Sequence, residues 1–259
     1  MPTVYAHYRF GVALLPTIPA DARRTIQRFR SLYDVGLHGP DIFYYHTNLL
    51  NAKTGFLGIK FHEQTGREFF QRVCRMARLE KSEASQAYLY GLLCHYVLDS
   101  VCHSYLADQT LEASHAEVET EFDRFLLELD GKVPPHCQDF SPHLHLTPGE
   151  CETVAKFYPP AGGSEVRNAL RSMAATVKLL AAPEGHRRTL VEKSMKLLAP
   201  ELLGMVMTAE ANPRCAHLDQ ELLNCYEKAV ELFPEMLSQL QAHMTYNGQL
   251  GQEFDKVFG

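Results

Sequence analysis

The sequence predicts an all-α protein, a single multi-helix domain covering residues 1–259. Apolar residues recur at helical spacing through most of the chain, residues that start and stop helices bracket those stretches, and no stretch alternates as a half-buried strand would. With 259 residues and 46% hydrophobic content the chain can bury one large core. No internal repeat is present, and the best linker candidate, PPAGG at 159–163, is too short to separate one domain from another.

The elements follow in order. Residues 19–35 open with Pro19 near a first-turn position, carry Ile26, Phe29, Leu32 and Val35 at helical spacing, and stop at Gly36. The stretch GLHGPDIFYYHT reads as a loop because of Gly36, Gly39 and Pro40. Helices are predicted over 61–79 and 83–107, the second with Leu89, Leu92, Leu93, Tyr96, Val97 and Val101 as core candidates. Another runs over 114–129, where Ser114 and Glu117 have the offset of a capping box and Asp130-Gly131 ends the run. Residues 131–150, rich in Pro and His, form a long irregular connection. Helices resume over 148–157, 164–181, 188–210 and 217–246, and the tail NGQLGQEFDKVFG has no assigned element.

The chemistry concentrates in residues 88–123. His95/Asp99 and His115/Glu119 are pairs four residues apart on predicted helices, so each pair shares a helix face. Imidazole and carboxylate so placed can close on one cation such as zinc. His103 follows His95 by eight residues, roughly 12 Å along a helix axis, and Zn–N bonds are only about 2.0–2.1 Å long. The two imidazoles must therefore serve different ions. Further ligands are sought among His7, His38, Asp41, His46 and His62. His62-Glu63 is not an HExxH site, since Gly66 stands where the second histidine would be. The isolated histidines His136, His143, His145, His186, His217 and His243 read as ordinary core or surface residues, and Glu112, Glu117 and Glu121 as a solvated acidic face.

Composition excludes several classes. A net charge of −6 gives no footprint for duplex nucleic acid. The arginines at 23, 24, 28 and 30 read as a solvated helix face. Seven cysteines without CxxC spacing read as small, buried, reduced thiols. No run approaches a membrane span. The N-terminal stretch lacks a basic region and is broken by His7, Arg9 and Gly11, so a cytoplasmic location is expected. No protein partner is predicted.

The ordered set formed by the histidine in AHYRFG, the GLHGPD loop, a histidine some twenty residues later, HxxxDxxxH and HxxxE resembles the bacterial zinc-dependent phospholipases C. These share an all-helical trinuclear zinc fold with fungal single-strand-specific nucleases. The resemblance covers about residues 5–123. It implies a buried metal cluster of two or three Zn2+ ions held by His7, Asp41, His62, His95, Asp99, His103, His115 and Glu119. By match, His62, His95 and Asp99 would hold one ion, with Asp41 contributing or acting as catalytic base; His103, His115 and Glu119 a second; His7 and a bridging Asp99 a third. The secreted enzymes add an N-terminal tryptophan to the third site, and this chain has none. Ile42 stands where phosphatidylcholine-specific members carry an aromatic residue, while Phe43, Tyr44 and Tyr45 follow as candidate substrate-binding residues. The implied activity is hydrolysis of a phosphoester by zinc-activated water, a phospholipid headgroup being one candidate. The alternatives are a single-strand nuclease or nucleotide phosphoesterase, and a non-catalytic metal-stabilised scaffold.

Overall fold

The computed structural model describes residues 4–45, 52–181, 185, 188–189, 193, 196 and 200–258. Its α-helices are α1 (Tyr5–Leu14), α2 (Ala20–Arg28), α3 (Arg30–Gly36), α4 (Ala52–His62), α5 (Gly66–Glu80), α6 (Glu83–Leu106), α7 (His115–Leu129), α8 (Pro148–Ala155), α9 (Gly163–Leu180) and α10 (Asp219–Tyr246). Among the described residues there is no strand, only an isolated bridge between Thr65 and Val257. The fold is all-α.

The sequence hides the role of α6. A helix on a protein surface shows a polar face, but every residue from Ala87 to Ser100 is buried, so α6 is the axis that other helices surround. It touches α1, α2, α3, α5, α8 and α10. Its closest neighbour is α3, and glycines make that approach possible. A Cβ on Gly36 would lie 2.5 Å from the Tyr88 carbonyl oxygen, and one on Gly91 2.2 Å from that of Tyr33. Polar side chains on such an axis are forced into the interior, and His95 and Asp99 are among them.

Several boundaries differ from the sequence reading. The 19–35 helix breaks at Phe29 (φ −121°, ψ 47°) into α2 and α3. The GLHGPD region is a 3-10 helix, Gly39–Tyr45, rather than an open loop. The expected 61–79 helix starts at Gly66 behind the cap Thr65, and Phe61 and His62 close the preceding α4. Local capping explains the shift, since the Thr65 hydroxyl accepts from the Glu68 amide. The Ser114/Glu117 capping box forms as expected. Most of the 188–210 helix lies outside the described residues, and its last portion is a 3-10 helix, Pro200–Met205. The tail is ordered: Phe254 and Phe258 are fully buried against Phe69, Phe70 and Tyr96. No helix among the described residues is long and apolar enough to cross a membrane. The seven cysteines are free thiols as expected, but Cys102 and Cys137 are partly exposed rather than buried.

Candidate metal centre

Each polar residue of the centre is delivered by a different structural device. His7 rides on α1, whose own N-cap, Val4, makes no side-chain hydrogen bond. The cap comes instead from α7: the buried Asp123 carboxylate accepts from the Val4, Tyr5 and Ala6 amides at 3.1, 3.0 and 2.7 Å. A carboxylate at the positive end of a helix is well placed, and here it fixes where α1, and so His7, begins. Burial nevertheless pushes the Asp123 carboxyl up to about 6, against those amide bonds. No local pattern marks Asp123 for this task; its partner segment is 117 to 119 residues away.

Asp41 sits in the 3-10 helix behind Gly39, whose φ of +47° favours glycine. A Cβ at Gly39 would meet the His95 ring at 2.4 Å, so the glycine also lets that imidazole lie against the turn. His62 ends α4. Its Nδ1 donates to the Gly58 carbonyl at 2.7 Å, because a carbonyl can only accept. Nε2 is thereby left to face Asp41 Oδ1 at 2.9 Å. A backbone carbonyl that fixes the ring in this way is the usual support for a metal-binding imidazole.

The groups then follow α6. His95 Nε2 lies 3.2 Å from Asp99 Oδ2, and His7 Nε2 is 3.2 Å from Asp99 Oδ1. His103 Nε2 is 3.5 Å from the same Oδ1. At the far end His115 Nε2 is 3.0 Å and His103 Nε2 3.7 Å from Glu119 Oε1. Three sets of ligand atoms lie within 4.8 Å of one another: Asp41/His62/His95, His7/His95/Asp99 and His103/His115/Glu119. The sequence-based grouping differs in one respect. Asp41, rather than Asp99, completes the set with His62 and His95, while Asp99 stands between the sets and touches His7, His95 and His103. His95 and His103 fall in different sets, as their eight-residue spacing requires.

These residues fit a cation by their unmet valences. Both Asp41 oxygens, His62 Nε2, both His95 nitrogens, His7 Nδ1 and Asp99 Oδ2 are buried without a hydrogen-bond partner. Buried polar atoms in native proteins are normally paired. Lone-pair atoms facing one another at about 3 Å without hydrogen-bond alignment are what a shared cation resolves. The proton affinities agree. Burial alone would lower His7 and His62, but Asp99 and Asp41 more than offset it and raise both. Burial alone would raise Asp41 and Asp99, yet both lie below the ordinary carboxylate value, Asp99 because His95, His7 and His103 face it. His95, the most enclosed ring, is pushed down to about 3 by burial, so it stays neutral with a lone pair to give.

Other candidates fall elsewhere. His38 is fully buried but pairs with His143, Nε2 to Nε2 at 2.8 Å, and joins none of the three sets. His46 and His186 lie outside the described residues. Phe43 is packed in the core, its ring 5.1 Å from Tyr158. Tyr44 is half-buried with its hydroxyl 3.3 Å from His62 Nδ1, and Tyr45 lines a cavity with Val4, Asp123 and Phe140. Glu121 is not on a solvated face: it is buried, pairs with Arg124 at 2.7 Å and accepts from the Asn212 amide. The basic run is a solvated face as expected: Arg28 and Arg30 keep 70% and 42% of their side-chain surface while pairing with Glu83 and Asp34. The tail supplies a floor the sequence reading missed, as the Phe258 ring is 6.3 Å from His62 and 6.2 Å from His95. The signal available for it was the pair of phenylalanines at 254 and 258.

The sequence model of the family described as zinc-dependent phospholipase C matches residues 6–155. The chain belongs to that family. The matched span contains all eight ligand-type residues of the three sets. No curated protein and no solved structure matches the chain. At the level of the zinc-dependent phospholipase C family, the protein is a metal-dependent phosphoesterase, and the His/Asp/Glu sets suit zinc.

Proposed function

We propose that the protein hydrolyses a phosphodiester with two or three zinc ions held along α6, in one domain formed by the whole chain. The unpaired, buried ligand atoms of the three sets carry this reading. Asp41, His62 and His95 hold one ion; His103, His115 and Glu119 hold another. One imidazole nitrogen serves one ion, so once His95 is committed to Asp41 and His62, His7 and Asp99 remain for the third, with the second Asp99 oxygen turned toward His95. Bound zinc supplies Lewis acidity, lowering the pKa of water toward neutrality and offsetting phosphate charge.

The chain's own residues then do three things. Asp41, whose carboxyl lies below the ordinary carboxylate value, orients water and accepts a hydrogen bond from it. His103, His115 and Glu119, the partly exposed set, form the side on which a phosphoester arrives. Tyr44, half-buried beside His62, positions the ester through its hydroxyl. The net charge of −6 would repel a phosphate, so the cations are also needed to draw it in. The test is elemental analysis of the purified protein followed by assays on bis(4-nitrophenyl) phosphate and 4-nitrophenyl phosphate. Two or more zinc ions per chain and diester hydrolysis lost on chelation and restored by zinc are expected. A protein that binds no zinc, or that hydrolyses neither ester when zinc-loaded, overturns the proposal.

A further inference from the structure

A cavity of about 210 Å³ opens where α8 packs on α9. That is far more than the roughly 30 Å³ share of one water, so a small polyatomic anion can enter. The floor is apolar, from Leu144, Cys151 and Leu170, each at most 3% exposed. The rim is basic. Arg167 and Arg171 stand one turn apart on α9, and His145 comes from the segment before α8. No carboxylate lines the cavity, and none of the three ligand sets contributes to it.

The two arginines are uncommitted. Arg9, Arg28, Arg30, Arg67, Arg124 and Arg214 each pair with a carboxylate. Among the described residues Arg167 and Arg171 pair with nothing. The acids nearest in the fold are turned elsewhere. Glu150 accepts from Ser31 on one oxygen and from Thr147 on the other. Glu152 faces the first residue of α9, where a Cβ on Gly163 would meet its Oε1 at 2.4 Å. Arg167 is half-buried, and its Nε is sealed from water without an acceptor, while its Nη atoms stay open to the cavity. A partly desolvated cation without a counter-charge is costly, and like charges four residues apart on a helix repel. One anion at the open Nη edges relieves both costs.

We propose that this cavity is a second anion site, separate from the metal centre, that binds the phosphoryl dianion of inorganic phosphate or of a phosphomonoester between Arg167 and Arg171. Guanidinium forks match phosphoryl oxygens in pairs, and two of them with Cβ atoms about 5–6 Å apart can converge on one tetrahedral group. Two fixed positive charges suit a dianion better than a carboxylate, and His145 adds a third donor at the rim. The site stands whether or not the metal centre hydrolyses an ester.

The test follows the arginine Nε–Hε NMR signals of the zinc-loaded full chain, assigned with Arg167→Gln and Arg171→Gln. Inorganic phosphate, added against sodium chloride at constant ionic strength, should shift both signals saturably. Each variant, read at the arginine that remains, should weaken binding by about tenfold or more. Zinc content and diester hydrolysis should be unchanged in both. Signals that do not saturate, or that chloride shifts equally, overturn the site. So does a midpoint that moves in Asp41→Asn but in neither arginine variant, since the shift then reports phosphate on the zinc ions. Two further arms separate the sources of the anion. Glycerol 3-phosphate binding at the same signals assigns a soluble ester. Cosedimentation with vesicles of phosphatidic acid in phosphatidylcholine, lost in both variants, assigns a lipid headgroup. A chain that hydrolyses diesters but passes none of these arms sinks the second site alone, and one that binds phosphate here but hydrolyses no ester sinks the phosphoesterase alone.

Discussion

At one end of the centre, Asp41, His62 and His95 are at most 4% exposed and come from a 3-10 helix, the end of α4 and the middle of α6. At the other end, His103, His115 and Glu119 keep 16%, 33% and 12% of their side-chain surface, and two of them sit one turn apart on α7. The first end exists only once distant segments have packed, so its desolvated carboxylate and imidazoles are held together by the fold and repaid by a cation. The second is half formed by a single helix and faces water. The buried end should therefore couple zinc to stability, and the open end should couple zinc to substrate.

Asp99 joins the two ends, and its loss should have the largest effect. Asp99→Asn keeps the shape but removes the charge that faces His7, His95 and His103. Diester kcat/KM should fall by more than about a hundredfold, with at least one zinc lost per chain. Full activity with full zinc content in this variant would show that Asp99 does not bridge.

The ends separate in stability. Zinc at 100 to 1,000 times its Kd should stabilise the parent by about 3–4 kcal/mol, on the order of 10 °C in Tm. His62→Ala should forfeit most of that increment, whereas His115→Ala should keep most of it while losing activity. Thermal melts with and without chelator distinguish them, and equal losses in the two variants would erase the contrast between the ends.

A backbone substitution sharpens the same point. Gly39→Ala meets a φ of +47° and the His95 ring at 2.4 Å, so it should cost about 2–3 kcal/mol and lower zinc content. Gly131→Ala meets a φ of +68° with nothing within 4 Å. It should cost about 1 kcal/mol and leave zinc untouched. Denaturant melts and zinc analysis of the pair read both effects.

The two ends also differ in how far they could be read from the sequence. The open end is nearly local: HxxxE on a capped helix and a histidine one turn past Asp99 declare themselves by spacing alone. The helix order and the all-α class were legible for the same reason, since caps and periodicity act over a few residues. The buried end was reached only through the family's ordered motif, because nothing local says that Asp41 and His62 meet. That His62 closes α4 rather than preceding α5 depended on the Thr65 cap. Asp123 capping α1, Glu121 buried with Arg124, and Phe258 under His62 and His95 were invisible, as each is a contact that spacing and periodicity do not encode.

The smallest expected effect comes from a buried carboxyl that has no imidazole beside it. Asp219, the first residue of α10, is 6% exposed with Oδ1 unpartnered. Burial first, and then Glu121, push its carboxyl from 3.8 up to about 7, while Arg124 opposes them from its bonds to Glu121 and Glu128. Asp99, as deeply buried, moves the other way because histidines face it. Between about pH 4 and pH 7 the folded chain holds a proton at Asp219 that the unfolded chain has released, so this contribution to stability falls as pH rises through that window and is flat above it. Asp219→Asn removes the dependence. It also gives up the favourable charge at the helix start, worth about 0.3–1 kcal/mol. Urea melts should find the variant about 1 kcal/mol more stable than the parent at pH 8 and equal or slightly less stable at pH 4. Parallel stability curves at the two pH values would mean that Asp219 ionises freely in the fold, and that histidine partners are not what separates it from Asp99.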